Sequence, residues 1–432
     1  MFRYLSVIMI LSLLLGGAAC SRNKKEAPVL IEPKPNEASA AENTQAKDVS
    51  QNNQFAFEIY QELAGKGKNL FLSPYSINTA MAMAYTGARS NTAAEIAKVM
   101  GYDAKPDQVH ESFYQSLEML NAIRSRKRAE FNIANAMFNA EANKERTVPE
   151  YQEVLQKFFA SDLYSLDFAK AGETADFINQ WVEKKTNSRI KDIVSERQIA
   201  DSNDGLVLVN TIYFKANWLQ QFDEKNTVME RFYTSSSRDE KSAKVMPMMH
   251  QTESFPYAQL PECQLLEMPY ADPEIAMLLA IPKDIKELSA NMNPDMWQSW
   301  MQALSKPRKV EVIIPKFRLE ESLDKLVDTF KALGISDAFS GGKADFSGIL
   351  KPDGGQNIYI SDIVHKSFIE VLEKGTEAAA ATQIGFAKTS IGAPVTDVPV
   401  FRADQPFFCA IVHKPSGELL FMGNVVDPES AE

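Results

Sequence analysis

Histidine and cysteine are scarce here, with four of one and three of the other in 432 residues. Cys20, Cys263 and Cys409 are too few for a disulfide framework, and no C-x-x-C spacing suggests bound zinc. His110, His250, His365 and His413 stand apart, with no H-E-x-x-H among them. G-x-S-x-G and the Walker phosphate loop are missing too, so the common hydrolase and nucleotide signatures are absent. These gaps lead us to expect no catalytic residue, no metal and no cofactor: a protein that is not an enzyme. Positive charge is also short, 46 Lys and Arg against 57 Asp and Glu for a net −11, which argues against nucleic acid as a partner.

No apolar run reaches the roughly 20 residues of a transmembrane helix. The longest, residues 5–15, follows Arg3 and precedes Gly16, Gly17, Ala18 and Ala19, the layout of a secretory signal peptide over residues 1–19. Small residues directly before Cys20 resemble the bacterial lipoprotein signal, with Gly17 where that pattern has Leu. The resemblance implies export and a lipid on Cys20 that anchors the chain to a membrane, at the outer membrane or cell surface of a bacterium. Residues 20–51, rich in Glu, Lys, Ala, Asn and Gln, read as a disordered tether, able to span on the order of 30 Å.

From residue 52 the chain has the makeup of a globular protein, and its length allows one large domain or two ordinary ones. Phe55, Phe57, Ile59, Tyr60 and Leu63 space a helix over residues 53–65. Residues 69–102, NLFLSPYSINTAMAMAYTGARSNTAAEIAKVMGY, read as a short strand, a helix begun at Ser73-Pro74, a stop at Gly87, and a second helix from near Asn91-Thr92. Cys263 and Cys409 sit in apolar, strand-like runs and read as buried free thiols.

The wording of residues 69–102 resembles the serpin family, and further blocks carry the likeness in family order. They are FNIANAMF (131–138), LVLVNTIYFKANW (206–218), VMPMM (245–249), CQLLEMPY (263–270), IPKFRLE (314–320), LGISDAFSGGKADFSGI (333–349), HKSFIEVLEKGTEAAAAT (365–382) and DQPFFCAIVHKPSGELLFMGNVVDP (404–428). The resemblance implies an α+β fold: a single large domain over residues 52–432 with three β-sheets, about nine α-helices and an exposed reactive loop at about 375–397. It also implies a monomer.

Read without the family, residues 367–372 alternate like a half-buried strand, and Gly375 permits a turn. Ala378, Ala379, Ala380 and Ala381 are strong helix formers, yet Thr376, Ala378, Ala380, Thr382, Ile384 and Phe386 alternate against Glu377, Gln383 and Gly385. One segment thus satisfies two periods, as a chain that must hold two conformations would. A flexible alanine-rich linker is the bland alternative.

In serpins this stretch is the hinge of the reactive loop, here Gly375, Thr376, Glu377, Ala378, Ala379, Ala380, Ala381 and Thr382. The resemblance implies that a protease cuts the loop as substrate and that the loop then enters the main sheet while the acyl-enzyme persists. Counting forward from Gly375 puts cleavage at Lys388, Thr389 or Ser390, whereas counting back from Pro406 points to Gly392 or beyond. The implied partners are trypsin-like, elastase-like, subtilisin-like and papain-like proteases. Ser73, Ser76, Asn210 and His365 match the family's shutter, a polar cluster that reorganises when strands part, and Trp218 matches the tryptophan of the breach where insertion begins. Lys374 stands where the family often has Glu, which would weaken a breach ion pair. A non-inhibitory serpin and a surface-binding lipoprotein are the rival readings.

Overall fold

In this computed structural model, residues 35–64, 67–202, 205–352, 354, 357–376 and 398–431 are described, with side chains from Val49 onward. The sheets, and the residues that frame the site described below, belong to the unit Asn43–Glu432. The signal segment, Cys20, the hinge residues from Glu377 to Thr382, and Lys388, Thr389 and Ser390 lie outside the described residues.

The opening helix runs from Pro35 to Ala64, so residues 35–51, expected as disordered tether, are helical. Low apolar content excludes a core but not a helix: Glu37, Ala38, Ala40, Ala41, Glu42 and Ala46 are local helix formers, and proline suits the first helical position. The helix Pro74–Gly87 is buried at all fourteen positions, which explains its alanine and methionine content and lack of a polar face. Ser73 caps it, its hydroxyl accepting from the Ser76 amide. Gly87 is there for packing: a Cβ would meet Ile349 at 2.1 Å.

Ten α-helices are present among the described residues. The strands form the three expected sheets, two of which share a strand and so join into one hydrogen-bonded network. The physical reason is one long strand, Ala243–Gln259: its first part pairs with Thr227–Tyr233 and Pro307–Pro315, and its end pairs with Cys263–Pro269. Two of the three expected sheets are thereby joined into one nine-stranded network.

The seven-stranded main sheet has the order Glu429–Ser430, Phe317–Leu323, Ile360–Leu372, Gly375–Thr376, Leu206–Asn217, Ala129–Ala140, Asp162–Leu166. One face buries Phe131, Ile212, Phe214, Ile369 and Val371 against Met277, Ile411 and Phe421 of the second network. Over the other face, Ile178 and Val182 of the helix Ala171–Lys185, with Ile190, Ile193 and Val194 just beyond it, pack on Val207, Val209, Tyr213, Val364 and Phe368. Both faces being covered, the middle strands read as near-continuous apolar runs, as observed at 206–209 and 212–214.

Candidate functional site

Two neighbouring strands of the main sheet are joined at one end and parted at the other. Ile360–Leu372 and Leu206–Asn217 pair in parallel from Ile360 opposite Leu206 to Phe368 opposite Tyr213. Beyond that, Gly375–Thr376 lies between them, antiparallel to each. Thr376 faces Val371 on one side and Ala216 on the other; Gly375 faces Leu372 and Asn217. The turn itself is made by Glu373 and Lys374, not by Gly375. Glycine is needed for close approach: a Cβ at 375 would stand 2.1 Å from the Ala216 carbonyl oxygen and 2.6 Å from the Asn217 Cα.

Trp218 lies at the mouth of this slot. Its indole N–H donates to the Leu372 carbonyl at 2.9 Å, and its backbone N–H donates to the Lys374 carbonyl at 2.9 Å. The indole stacks on Tyr270, centroids 4.5 Å apart and planes 11° from parallel. The Tyr270 hydroxyl is 2.6 Å from Thr376 Oγ1, with both residues fully buried. Burial holds that phenol well above the usual tyrosine range, so it keeps its proton.

Lys374 was expected to weaken a breach ion pair, yet the acid beside it is paired. Glu373 accepts from Thr227 Oγ1 at 2.8 Å and pairs with Lys316 at 3.6 Å, while Lys374 pairs with Glu224 at 3.4 Å. Glu373 supplies the acid of this ion pair, and Lys374 makes a second one beside it.

At the joined end, the strand register sets His365 opposite Asn210. The Ser73 amide donates to His365 Nε2 at 3.2 Å, so the ring proton sits on Nδ1 and is donated to Asn210 Oδ1 at 2.7 Å. Asn210 Nδ2 in turn donates to the Ser76 carbonyl at 2.7 Å and to Asn135 Oδ1. Ser73 Oγ donates to the Leu420 carbonyl at 2.6 Å. Full burial drives the imidazole down to about 3, so the ring is neutral. Ser76 takes part through its backbone; its buried hydroxyl has no partner among the described residues.

Ser73, Asn210 and His365 thus meet as expected, together with Asn135, which was not foreseen. Its signal was a polar residue inside the apolar strand Ala129–Ala140, directly opposite Asn210. Tyr270 and Glu373 were also missed as site residues, though both stand in the quoted blocks. Cys263 and Cys409 are free and buried, and burial pushes both thiols up to about 12.

Comparison with known proteins bears on this arrangement directly. A family model described as "Serpin (serine protease inhibitor)" matches residues 50–428. An uncharacterized serpin-like protein of Thermococcus kodakarensis is 37% identical over 384 residues, covering 87% of this chain and 85% of the relative. Leukocyte elastase inhibitor A of Mus musculus is 37% identical over 394 residues, covering 88% and 99%. Among solved structures, human thyroxine-binding globulin with its ligand superposes with TM-score 0.78 at 28% identity, covering 90% of this chain and all of that one. Uncleaved ovalbumin gives 0.76 at 28% identity, covering 88% and 99%. With the match running through every strand that frames the slot, the chain belongs to the serpin family.

Proposed function

We propose that the protein is a suicide-substrate inhibitor that traps proteases by lengthening its main sheet. The observation that carries this reading is Gly375–Thr376, already seated between two strands that farther down still hold each other. The inner edges of those strands can be satisfied by one another or by a third strand, and the chain beyond Thr376 is that strand.

The register supplies a scale. Continued down the slot, it would set Ala378 between Phe214 and Ile369, Ala380 between Ile212 and Ser367, and Thr382 between Asn210 and His365. Phe386 would come level with Leu206, where that strand begins. Bonds at Lys388, Thr389 and Ser390 lie just past the end of the slot, which favours the forward count over one beyond Gly392. Small hinge side chains suit the purpose, since each inward one must pass between closed strands under a packed helix.

Chemically, the nucleophile belongs to the protease. Its serine oxygen, or a cysteine sulfur in papain-like enzymes, attacks the loop carbonyl. The amine of the following residue leaves with the proton, and the acyl-enzyme ester or thioester forms. Insertion by about 46 Å, fourteen steps at roughly 3.3 Å, would carry the tethered protease across a domain whose radius of gyration is about 21 Å. A non-inhibitory serpin is disfavoured by the fit of Thr376 in the slot and the small residues that follow it.

Incubation with trypsin, an elastase, subtilisin or a papain-like protease should yield a band that survives boiling in detergent, with the released peptide beginning at 389, 390 or 391. Thr376→Arg, which buries an unpaired charge at a cost of several kcal/mol, should convert the protein to a cleaved substrate with no such band. Cuts only beyond Val395, or clean cleavage of the wild type, would refute the reading. Loop-nicked protein should also melt above intact protein.

The shutter makes stability depend on pH. His365 is neutral when folded and takes a proton near 6.5 when unfolded, so its contribution is complete above about 6.5 and is lost as pH falls toward 3. Between pH 6 and 4 the wild type should lose about 1.4 kcal/mol per pH unit more than His365→Gln. Denaturant titrations would check this, and equal slopes would contradict it.

We further propose that the chain is exported and lipidated at Cys20. Labelled palmitate should enter the wild type and not Cys20→Ala, which should leave the membrane fraction; equal labelling of both would overturn this.

A further inference from the structure

We propose that Tyr270 is a positioning residue for insertion, its hydroxyl holding Thr376 in the slot so that the loop starts from a strand nucleus already formed. The inference rests on the inhibitor reading above and assigns a residue to its first step.

The geometry is closed on every side. Tyr270 and Thr376 are both fully buried, and the two hydroxyls meet at 2.6 Å, with no other partner for either among the described residues. The ring cannot swing away, because Trp218 stacks on it, and Trp218 is itself tied to the Leu372 and Lys374 carbonyls. The platform is therefore fixed by the same turn that it positions. A nucleus of only Gly375 and Thr376 has few backbone bonds of its own, and the side-chain bond inside the slot adds to them.

Thr376 already occupies the register of a fully inserted strand, so the Tyr270 bond need not break as insertion proceeds. It stabilises the start and the end alike and opposes only retraction of the hinge. Retraction matters because the acyl-enzyme is hydrolysed while the loop waits, and any delay converts inhibitor into product. Loss of one buried partner leaves the other unsatisfied, a penalty corresponding to roughly 5- to 100-fold in an equilibrium, whereas loss of both together is close to neutral.

The test is a double-mutant cycle with two readouts. Tyr270→Phe and Thr376→Val should each raise the number of inhibitor molecules consumed per protease inactivated by about 5-fold or more, with the rate of first cleavage unchanged. The double variant should return to within about twofold of wild type, since the two apolar groups pack where the two hydroxyls met. Separately, without protease, hydrogen exchange at the Gly375 and Thr376 amides should be fast in each single variant and slow again in the double. Wild-type consumption and exchange in Tyr270→Phe would overturn the proposal, as would a double variant whose defects simply add. A wild type that forms no covalent complex would sink the inhibitor reading alone, because the exchange measurement still decides whether Tyr270 holds the hinge.

Discussion

Two strands compete for a third between them, and the rest of the molecule is arranged around that competition. Where Leu206–Asn217 and Ile360–Leu372 pair directly they do so in parallel, the slightly less stable pairing; where Gly375–Thr376 intervenes, both contacts are antiparallel. On the inhibitor reading, the sheet stands part-way toward a better-bonded arrangement, and the chain that would complete it leads on to the strand Val400–Arg402 of the other network.

Breach and shutter sit at opposite ends of this conflict. Ala216, opposite Thr376, and Asn210, opposite His365, are six residues apart on one strand, or about 20 Å. The strand Leu206–Asn217 runs continuously between them. The breach holds the gap open with aromatic surface and main-chain bonds. The shutter holds it closed with a neutral imidazole whose nitrogens both face partners from other elements, Ser73 at the start of a buried helix and Asn210 on the next strand.

Much of this was legible because its causes are local. Ser73-Pro74 announces a capped helix, and an apolar alanine and methionine run announces burial. The missed features depend on distant partners. Nothing near Tyr270 says that its hydroxyl meets a threonine 106 residues on, and nothing near Ser76 says that only its backbone joins the cluster. The merging of two sheets likewise follows from where one long strand finds its neighbours. The helical run at 35–51 fails in the other direction: composition forecasts whether a segment can join a core, and helix propensity is a separate property.

What covers the sheet sets the cost of completing it. Tyr213 and Phe368, from the two strands that must part, lie under one apolar layer with Ile190 and Val194. Separating the strands by one strand spacing, about 4.8 Å, must therefore shift that layer sideways or lift it. Because interiors are close-packed, the cover cannot yield by small compressions and must repack as a unit. On the inhibitor reading, the barrier to spontaneous insertion is shared between the shutter's polar bonds and this apolar cover. The first is sensitive to protonation and the second to side-chain volume, so on the inhibitor reading proposed above the same step is under two different controls.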